Sequence, residues 1–413
     1  MKTTKILFLV LITTFPLFAQ GGSIYSGYGI GDLQTSFSAR RFGFGELGIA
    51  LSDKDFINSL NPAAWNELRM TRYEVSLNYS GSFLQGSSES VYHNNVHFNG
   101  FAFGFPIEHD LGISFAAGLV PYSNVRYDVI ENQYHPIIGN YQLENKAQGG
   151  LSKFFIGTSY KLPLDFALGI DYDYYFGHIE TGTSASFPDS SGFSNSSYGS
   201  TVEYHGMSVT AGLISGDIAK IFGQGKIKDF RFGLTYTPAI TMNVDSVDNS
   251  STTIGTVETS TGSVQSKIPY RLGVGTTLTY DEYYTFMIDY LFQPFSQFTQ
   301  NGSSVASMQD YYKFAIGFEF RNTDYKSNSF WDHVMLRTGV SYEQTPYKIN
   351  GTGINQFSIY GGFSMPLAFD NSIDFGFQFG KRGTKDNGLI LENIYKFNVT
   401  LSIGELWFVR TDR

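Results

Sequence analysis

The 413-residue sequence predicts an all-β fold, a 14-stranded antiparallel transmembrane β-barrel. Three observations lead there. Charged residues make up 16% of the chain and aromatic residues 17%, with 45 glycines, whereas soluble globular chains carry roughly a quarter charged residues. Beyond the first twenty residues there is no apolar run of the roughly 20 residues that a membrane helix needs. From Thr71 onward, period-two alternation recurs in stretches about as long as a tilted membrane strand.

The chain begins with Lys2 and Lys5 ahead of a nearly continuous apolar run, Ile6 to Leu17, then Phe18, Ala19 and Gln20. A basic start, an apolar core of this length and a small residue before the cut describe a secretory signal peptide over 1–19, cleaved after Ala19. The chain has no cysteine, which excludes disulfides, thiolate metal sites and a lipid anchor on an N-terminal cysteine. Residues 20–72 precede the alternating segments and read as irregular. Gly21–Gly31 is glycine-rich, Gly43–Ala50 is small and apolar, and Asp53–Leu60 is expected to form one short helix that Asn61-Pro62 stops.

The barrel is expected over 73–408, with a short tail at 409–413. Fourteen alternating segments follow, near 73–81, 95–105, 111–121, 152–161, 166–176, 202–213, 229–238, 269–280, 284–293, 310–320, 331–342, 357–366, 372–381 and 391–403. Connections near 106–110, 162–165, 281–283 and 367–371 are tight, while the alternate set, such as 122–151, 177–201 and 239–268, is long. Short turns at one end and long loops at the other are the habit of outer-membrane barrels. Within each segment one row is bulky and apolar, as in Phe230/Phe232/Leu234/Tyr236 or Ile373/Phe375/Phe377/Phe379, and the other row is Gly, Ser, Thr, Asn, Asp or Arg. That pattern predicts lipid on the bulky face and a polar lumen within. An even number of antiparallel strands leaves no backbone edge in hydrocarbon. Tyrosines near strand ends, among them Tyr79, Tyr160, Tyr172, Tyr175, Tyr236, Tyr284, Tyr342 and Tyr360, and Trp331 and Trp407, are expected to form the interfacial girdles. Inward acids Asp171, Asp173, Asp289, Glu319 and Asp374 call for counterions, with Arg231, Arg271, Arg321 and Arg337 as candidates.

Net charge is −9 and no basic block stands out, which argues against a nucleic-acid partner. No nucleophile elbow, phosphate loop or His-Glu-x-x-His helix occurs, and seven scattered histidines offer no metal-ligand spacing. The expectation is a protein that is not an enzyme and carries neither cofactor nor metal.

Asn61-Pro62-Ala63, preceded by Gly43–Leu51 and followed by the first strand, resembles the plug region of the long-chain fatty acid transporter family of outer-membrane proteins, which includes aromatic-hydrocarbon channels. Ile268-Pro269-Tyr270-Arg271-Leu272-Gly273 and the closing Phe397–Phe408 segment support the resemblance, which extends loosely over the whole mature chain. It implies the outer membrane of a Gram-negative-type bacterium and a small N-terminal hatch over 20–72, inside the lumen, that blocks a continuous pore. It also implies hydrophobic ligands, such as long-chain fatty acids, captured outside, passed to a pocket beside the hatch and released sideways into outer-membrane lipid. No energy source is required. Phe42, Phe44, Leu47, Ile49, Leu51 and Phe56 are then candidates for the ligand surface of the hatch, and Asn61, Pro62 and Ala63 for its exit into the first strand. Tyr127, Tyr134, Ile137 and Ile138, with Phe187 and Phe193, are extracellular capture candidates. The alternative is a scaffold for secretion or surface-protein assembly without solute transport, working with a periplasmic or secretion-system partner.

Overall fold

The computed structural model describes residues 22–86, 90–188, 192–223, 225–322, 330–367 and 371–406. The expected export signal, the 409–413 tail and Trp407 lie outside them. One two-residue strand, β1 (Asp32–Leu33), belongs to the N-terminal segment. The others are β2 (Thr71–Gln85), β3 (Ser90–Glu108), β4 (Ile113–Pro121), β5 (Ser123–His135), β6 (Gly139–Lys161), β7 (Ala167–Ser186), β8 (Ser196–Ile214), β9 (Ile227–Thr237) and β10 (Ile240–Thr252). They continue as β11 (Gly255–Ile268), β12 (Arg271–Tyr280), β13 (Tyr284–Gln293), β14 (Thr299–Gln300), β15 (Ser303–Ser304), β16 (Tyr311–Phe320), β17 (Met335–Ile349), β18 (Thr352–Pro366), β19 (Ser372–Arg382) and β20 (Leu391–Glu405).

Fourteen of these strands close a ring, each antiparallel to the next: β2, β3, β4, β6, β7, β8, β9, β12, β13 and β16 to β20. The last pairs with the first in an unbroken ladder from Thr71 opposite Glu405 to Gln85 opposite Leu391. The exposure pattern is inverted relative to a soluble barrel. Along β2, Val75 and Leu77 are 46% and 54% exposed, whereas Glu74, Ser76 and Asn78 are buried. Apolar side chains therefore face lipid and polar ones face the lumen, as backbone and side-chain solvation in a membrane demand.

Three differences from the sequence reading have physical reasons. The regions 122–151, 177–201 and 239–268 are largely paired strand, not loop: β10 and β11 form a hairpin, and β8 runs alongside β10. In their outer parts, as over 248–252 and 258–263, both rows are polar and alternation gives no signal, although Ile240, Met242 and Val244 do alternate and are buried. Pro238 and Pro269 separate β9 from β10 and β11 from β12, since a proline cannot donate to a ladder. The expected helix over 53–60 is irregular; the helical turn instead starts after it, at Pro62–Glu67. Pro62 opens that turn at its first position, where no N–H is needed, and the Asn61 side chain caps it. Finally, Tyr175 and Tyr360 are not in a girdle. They are 0% and 2% exposed, inside the barrel, with Tyr175 edge-on to Tyr122 and Tyr360 edge-on to Phe42.

Candidate functional site

Residues 22–70 lie within the ring of strands and touch its inner face on every side. The short helix Ala39–Gly43 rests on β17 to β20, Gly48 and Ile49 meet β13, and Pro62–Glu67 packs on β6, β7 and β8. Glycines in the wall admit this segment. A Cβ on Gly212 would collide with the Asn61 side chain and one on Gly169 with the Pro62-Ala63 backbone, while Gly317 and Gly339 give the same close approach to Phe44. Asn61 is fully buried. Its Oδ1 accepts from the Ala63 N–H at 3.0 Å and its Nδ2 donates to the Ile49 carbonyl at 2.8 Å. Asn61, Pro62 and Ala63 thus form one cap that is seated against two wall glycines.

The six candidate ligand residues of this segment are placed in its packing. Phe42, Phe44, Leu47 and Ile49 are at most 2% exposed, and Leu51 is half-buried. Phe56 lies under the Arg40 guanidinium, 3.9 Å from ring centroid to Cζ, with Arg337 at 5.9 Å. Trp65 is buried, stacks on Phe155 at 5.9 Å, and donates to the Asn58 carbonyl at 2.7 Å.

Charge fastens segment to wall. Arg40 bridges Asp53 at 2.6 Å and Glu319 at 2.7 Å, and Glu319 also accepts from Arg337 at 2.6 Å. Arg337 continues to Asp374 at 3.4 Å. Arg321 reaches Asp53 at 2.9 Å and also pairs with Asp55, which Arg72 holds at 2.6 Å. On the other side Lys313 pairs with Glu46, and Arg382 with Asp32 at 2.7 Å. Burial pushes the Asp53 carboxyl up, but Arg40 and Arg321 outweigh it and hold the group well below the usual carboxylate range. Glu46 is held down in the same way, against its burial, by Lys313. Burial lowers Arg41 to about 10; its guanidinium donates to the carbonyls of Thr35, Glu46 and Leu47, tying the segment to itself.

The expected counterions are found for Glu319 and Asp374, which share Arg337. Asp173 takes Lys153 instead, at 3.0 Å. Asp289 faces no cation within salt-bridge distance among the described residues; it accepts the Gly48 and Ile49 backbone N–H groups at 2.9 and 3.0 Å. Sequence reasoning missed Arg40, Glu46, Asp53 and Lys313. Arg40, Glu46 and Asp53 sit in an irregular segment with no period to assign an inward face, whereas Lys313 occupies an inward strand position that alternation marks.

Among the described residues the wall is open beside β3. β3 pairs with β2 from Ser90 to Gly104, but on its other side it pairs with β4 only from Phe101, opposite Leu119, onward. The chain then bends at Pro121-Tyr122. Tyr122 is buried, with its ring 5.0 Å from Tyr175 and its hydroxyl accepting from Gln293 at 3.1 Å. β5 leaves the β3 edge, pairs with β6, and at Ser123 and Asn124 receives β1 from the N-terminal segment. Residues 90–100 of β3 are left with no strand on that side. Behind the break lies a cavity of about 50 Å³, lined by polar groups including Asn78, His93, His97, Arg126 and Lys396. A second, of about 20 Å³, lies between Phe37, Leu60 and Tyr122. Ligand pockets of drug-sized molecules run to roughly 300–1,000 Å³, so both lumen cavities are small.

At the long-loop end, the tip of the β5–β6 hairpin and the start of the β7–β8 connection bound an open cleft of about 620 Å³, lined by Tyr134, Tyr141 and Phe187 among amide side chains. Phe187 stacks on Tyr141 at 5.7 Å and meets Phe193 at 5.9 Å. Tyr134 and Ile137 are 70% and 80% exposed, and Ile138 is partly buried at the hairpin tip. Tyr127 points elsewhere, packing over Gly27 of the N-terminal segment. Three of the six capture candidates, Tyr134, Phe187 and Phe193, are therefore brought together, and Tyr127, Ile137 and Ile138 are not.

Solved structures of low sequence identity share this fold. A FadL homologue of Pseudomonas aeruginosa matches at 13% identity and TM-score 0.63, over 90% of this chain and 98% of that one. The toluene transporter TodX of Pseudomonas putida matches at 14% identity and TM-score 0.61, over 92% and 100%. The toluene transporter TbuX of Ralstonia pickettii gives 14% and 0.59, over 90% and 99%. No curated protein matches the sequence. A closed 14-stranded barrel with an apolar outer band places the chain in the outer membrane. The family model for BamG matches residues 1–412, nearly the whole sequence, and the chain belongs to the BamG family.

Proposed function

We propose that this protein passes hydrophobic compounds such as long-chain fatty acids across the outer membrane, with residues 20–72 as its hatch and the break between β3 and β5 as a lateral exit. The break carries the reading. It begins just beyond Phe101 and passes Phe98, which is 51% exposed opposite lipid-facing Leu77, so an opening there leads to hydrocarbon. Capture belongs at the cleft around Tyr134, Tyr141 and Phe187. Because Phe42, Phe44, Leu47 and Ile49 are buried, they become ligand contacts only when the hatch shifts from its seat. Passage is passive and downhill, by partial burial of apolar surface along the route. The test is binding and uptake of radiolabelled oleate and toluene by the purified barrel in liposomes. If neither compound binds nor crosses faster than in empty liposomes, the proposal fails.

A second reading, a scaffold for secretion or surface-protein assembly, draws support from the seating itself. Cavities of about 50 and 20 Å³ beside a segment fastened by buried ion pairs leave no ready path for a solute. A stable periplasmic or secretion-system partner that co-purifies with a barrel inactive in uptake would favour it.

A further inference from the structure

The edge of β3 left bare by the break carries an interaction surface of its own. Over residues 90–100, β3 offers its N–H and C=O groups to β2 on one side and to no strand on the other. Each unsatisfied backbone group at hydrocarbon depth costs several kcal/mol, and a lipid acyl chain supplies neither donors nor acceptors. Bare strand edges are templates for another strand.

Nothing within the described residues fills the row. Across the break β5 pairs with β6 alone beyond Asn124, so its facing edge is open as well, and the N-terminal segment meets the two edges by isolated contacts: the His93 ring to the Gly22 carbonyl at 3.3 Å, and Ser26 to the Arg126 backbone. The side chains along the edge alternate as in a barrel wall. Val96 and Phe98 are 47% and 51% exposed, while Asn95 and Asn99 are buried. On the inward row, the buried Asn99 Oδ1 and His97 Nδ1 have no hydrogen-bond partner.

We propose that this edge accepts an extended strand of a second outer-membrane polypeptide, by backbone pairing with β3. The strand fitted to it has apolar residues at alternate positions, to continue the lipid face beside Val96 and Phe98. Its other row carries hydroxyl, amide or ammonium donors that meet Asn99 and His97. At about 3.3 Å per residue, eleven residues present an edge of roughly 35 Å; it ends where β4 takes up the pairing at Phe101, so the seated strand fills the long-loop part of the wall and stops above β4. A seated strand closes the wall, so this pairing and lateral passage are separate properties with separate assays.

The test uses the full-length barrel in detergent micelles and a synthetic peptide that copies residues 393–403, the strand of clearest alternation, Tyr395, Phe397, Val399 and Leu401 against Lys396, Asn398 and Thr400. The readout is residue-resolved amide hydrogen exchange. In the free barrel, alternate amides of 90–100 exchange fast. With the peptide they slow by about tenfold or more, those of β13, paired on both sides, do not change, and a peptide N-methylated at alternate amides has no effect. Three results overturn the inference: edge amides already slow in the free barrel, no slowing at the highest soluble peptide concentration, or equal slowing by the N-methylated peptide. Failure of oleate and toluene uptake alone leaves it standing, because that assay reads passage.

Discussion

Asp289 is the sharpest point at which to test how the N-terminal segment is held. Its two carboxylate oxygens accept the backbone N–H groups of Gly48 and Ile49 at 2.9 and 3.0 Å, in a buried site. A hydrogen bond to a charged group is worth about 1.5–3 kcal/mol. Asp289→Ala removes both, so the 45–51 loop loses about 3–6 kcal/mol of local stability. At 1.4 kcal/mol per decade this multiplies the population of the open loop by roughly 10²–10⁴. Asp289→Asn keeps one acceptor oxygen and is expected to lose about half as much. The assay is amide exchange at Gly48 and Ile49 in the purified barrel, with heat-modifiable migration in gels as a check that the wall is intact. The carbonyls of the same two residues stay tied to Asn58 and Asn61 at 2.8 Å, so opening is local and the wall ladders are unaffected. Exchange within about twofold of wild type in Asp289→Ala would refute the reasoning, since two unsatisfied buried donors are never that cheap.

Other outcomes follow from the same packing. Trp65→Ala deletes a buried ring stacked on Phe155 and its bond to Asn58, costing the segment about 3–5 kcal/mol; limited proteolysis should then cut within 22–70 while the wall survives. Gly212→Ala places a methyl group against the Asn61 side chain and should unseat the Asn61-Pro62 cap, which a shift in Trp65 fluorescence would report in a Trp331→Phe, Trp407→Phe background; an unchanged spectrum counts against the close approach. For pH, Asp53 is buried yet held low by Arg40 and Arg321, so its contribution is present above the unfolded carboxyl value near 3.9 and is lost as pH falls below about 4 toward the folded value. Trp65 fluorescence in that background should therefore show a change below about pH 4 that Asp53→Asn lacks; identical acid limbs in the two proteins would contradict the assignment.

Alternation alone located the fourteen wall strands, because a strand between lipid and a polar lumen must present Val75 and Leu77 on one side and Glu74 and Ser76 on the other. It did so without any tertiary information, and the same physics accounts for the low charge and the aromatic excess. Where both rows are polar, as over 248–252 and 258–263 of the β10–β11 hairpin, the period vanishes and nothing local marks a strand. Asn61-Pro62 was legible as a boundary, but whether it closes one helix or opens another depends on which side carries the cap. Hydrophobicity marked Phe42, Phe44, Leu47 and Ile49 as inward-facing, yet a buried side chain in a plug and a ligand contact have the same chemistry, and only packing separates them. The ion pairs that join Arg40 to Glu319 and Glu46 to Lys313 link positions 279 and 267 residues apart, and at the break beside β3 Tyr122 turns into the lumen to meet Tyr175 and Gln293. Strand identity is a local, period-two property that one row of side chains determines. The seating of the N-terminal segment and the gap in the wall are long-range pairings, which no local period encodes and only the closed barrel decides.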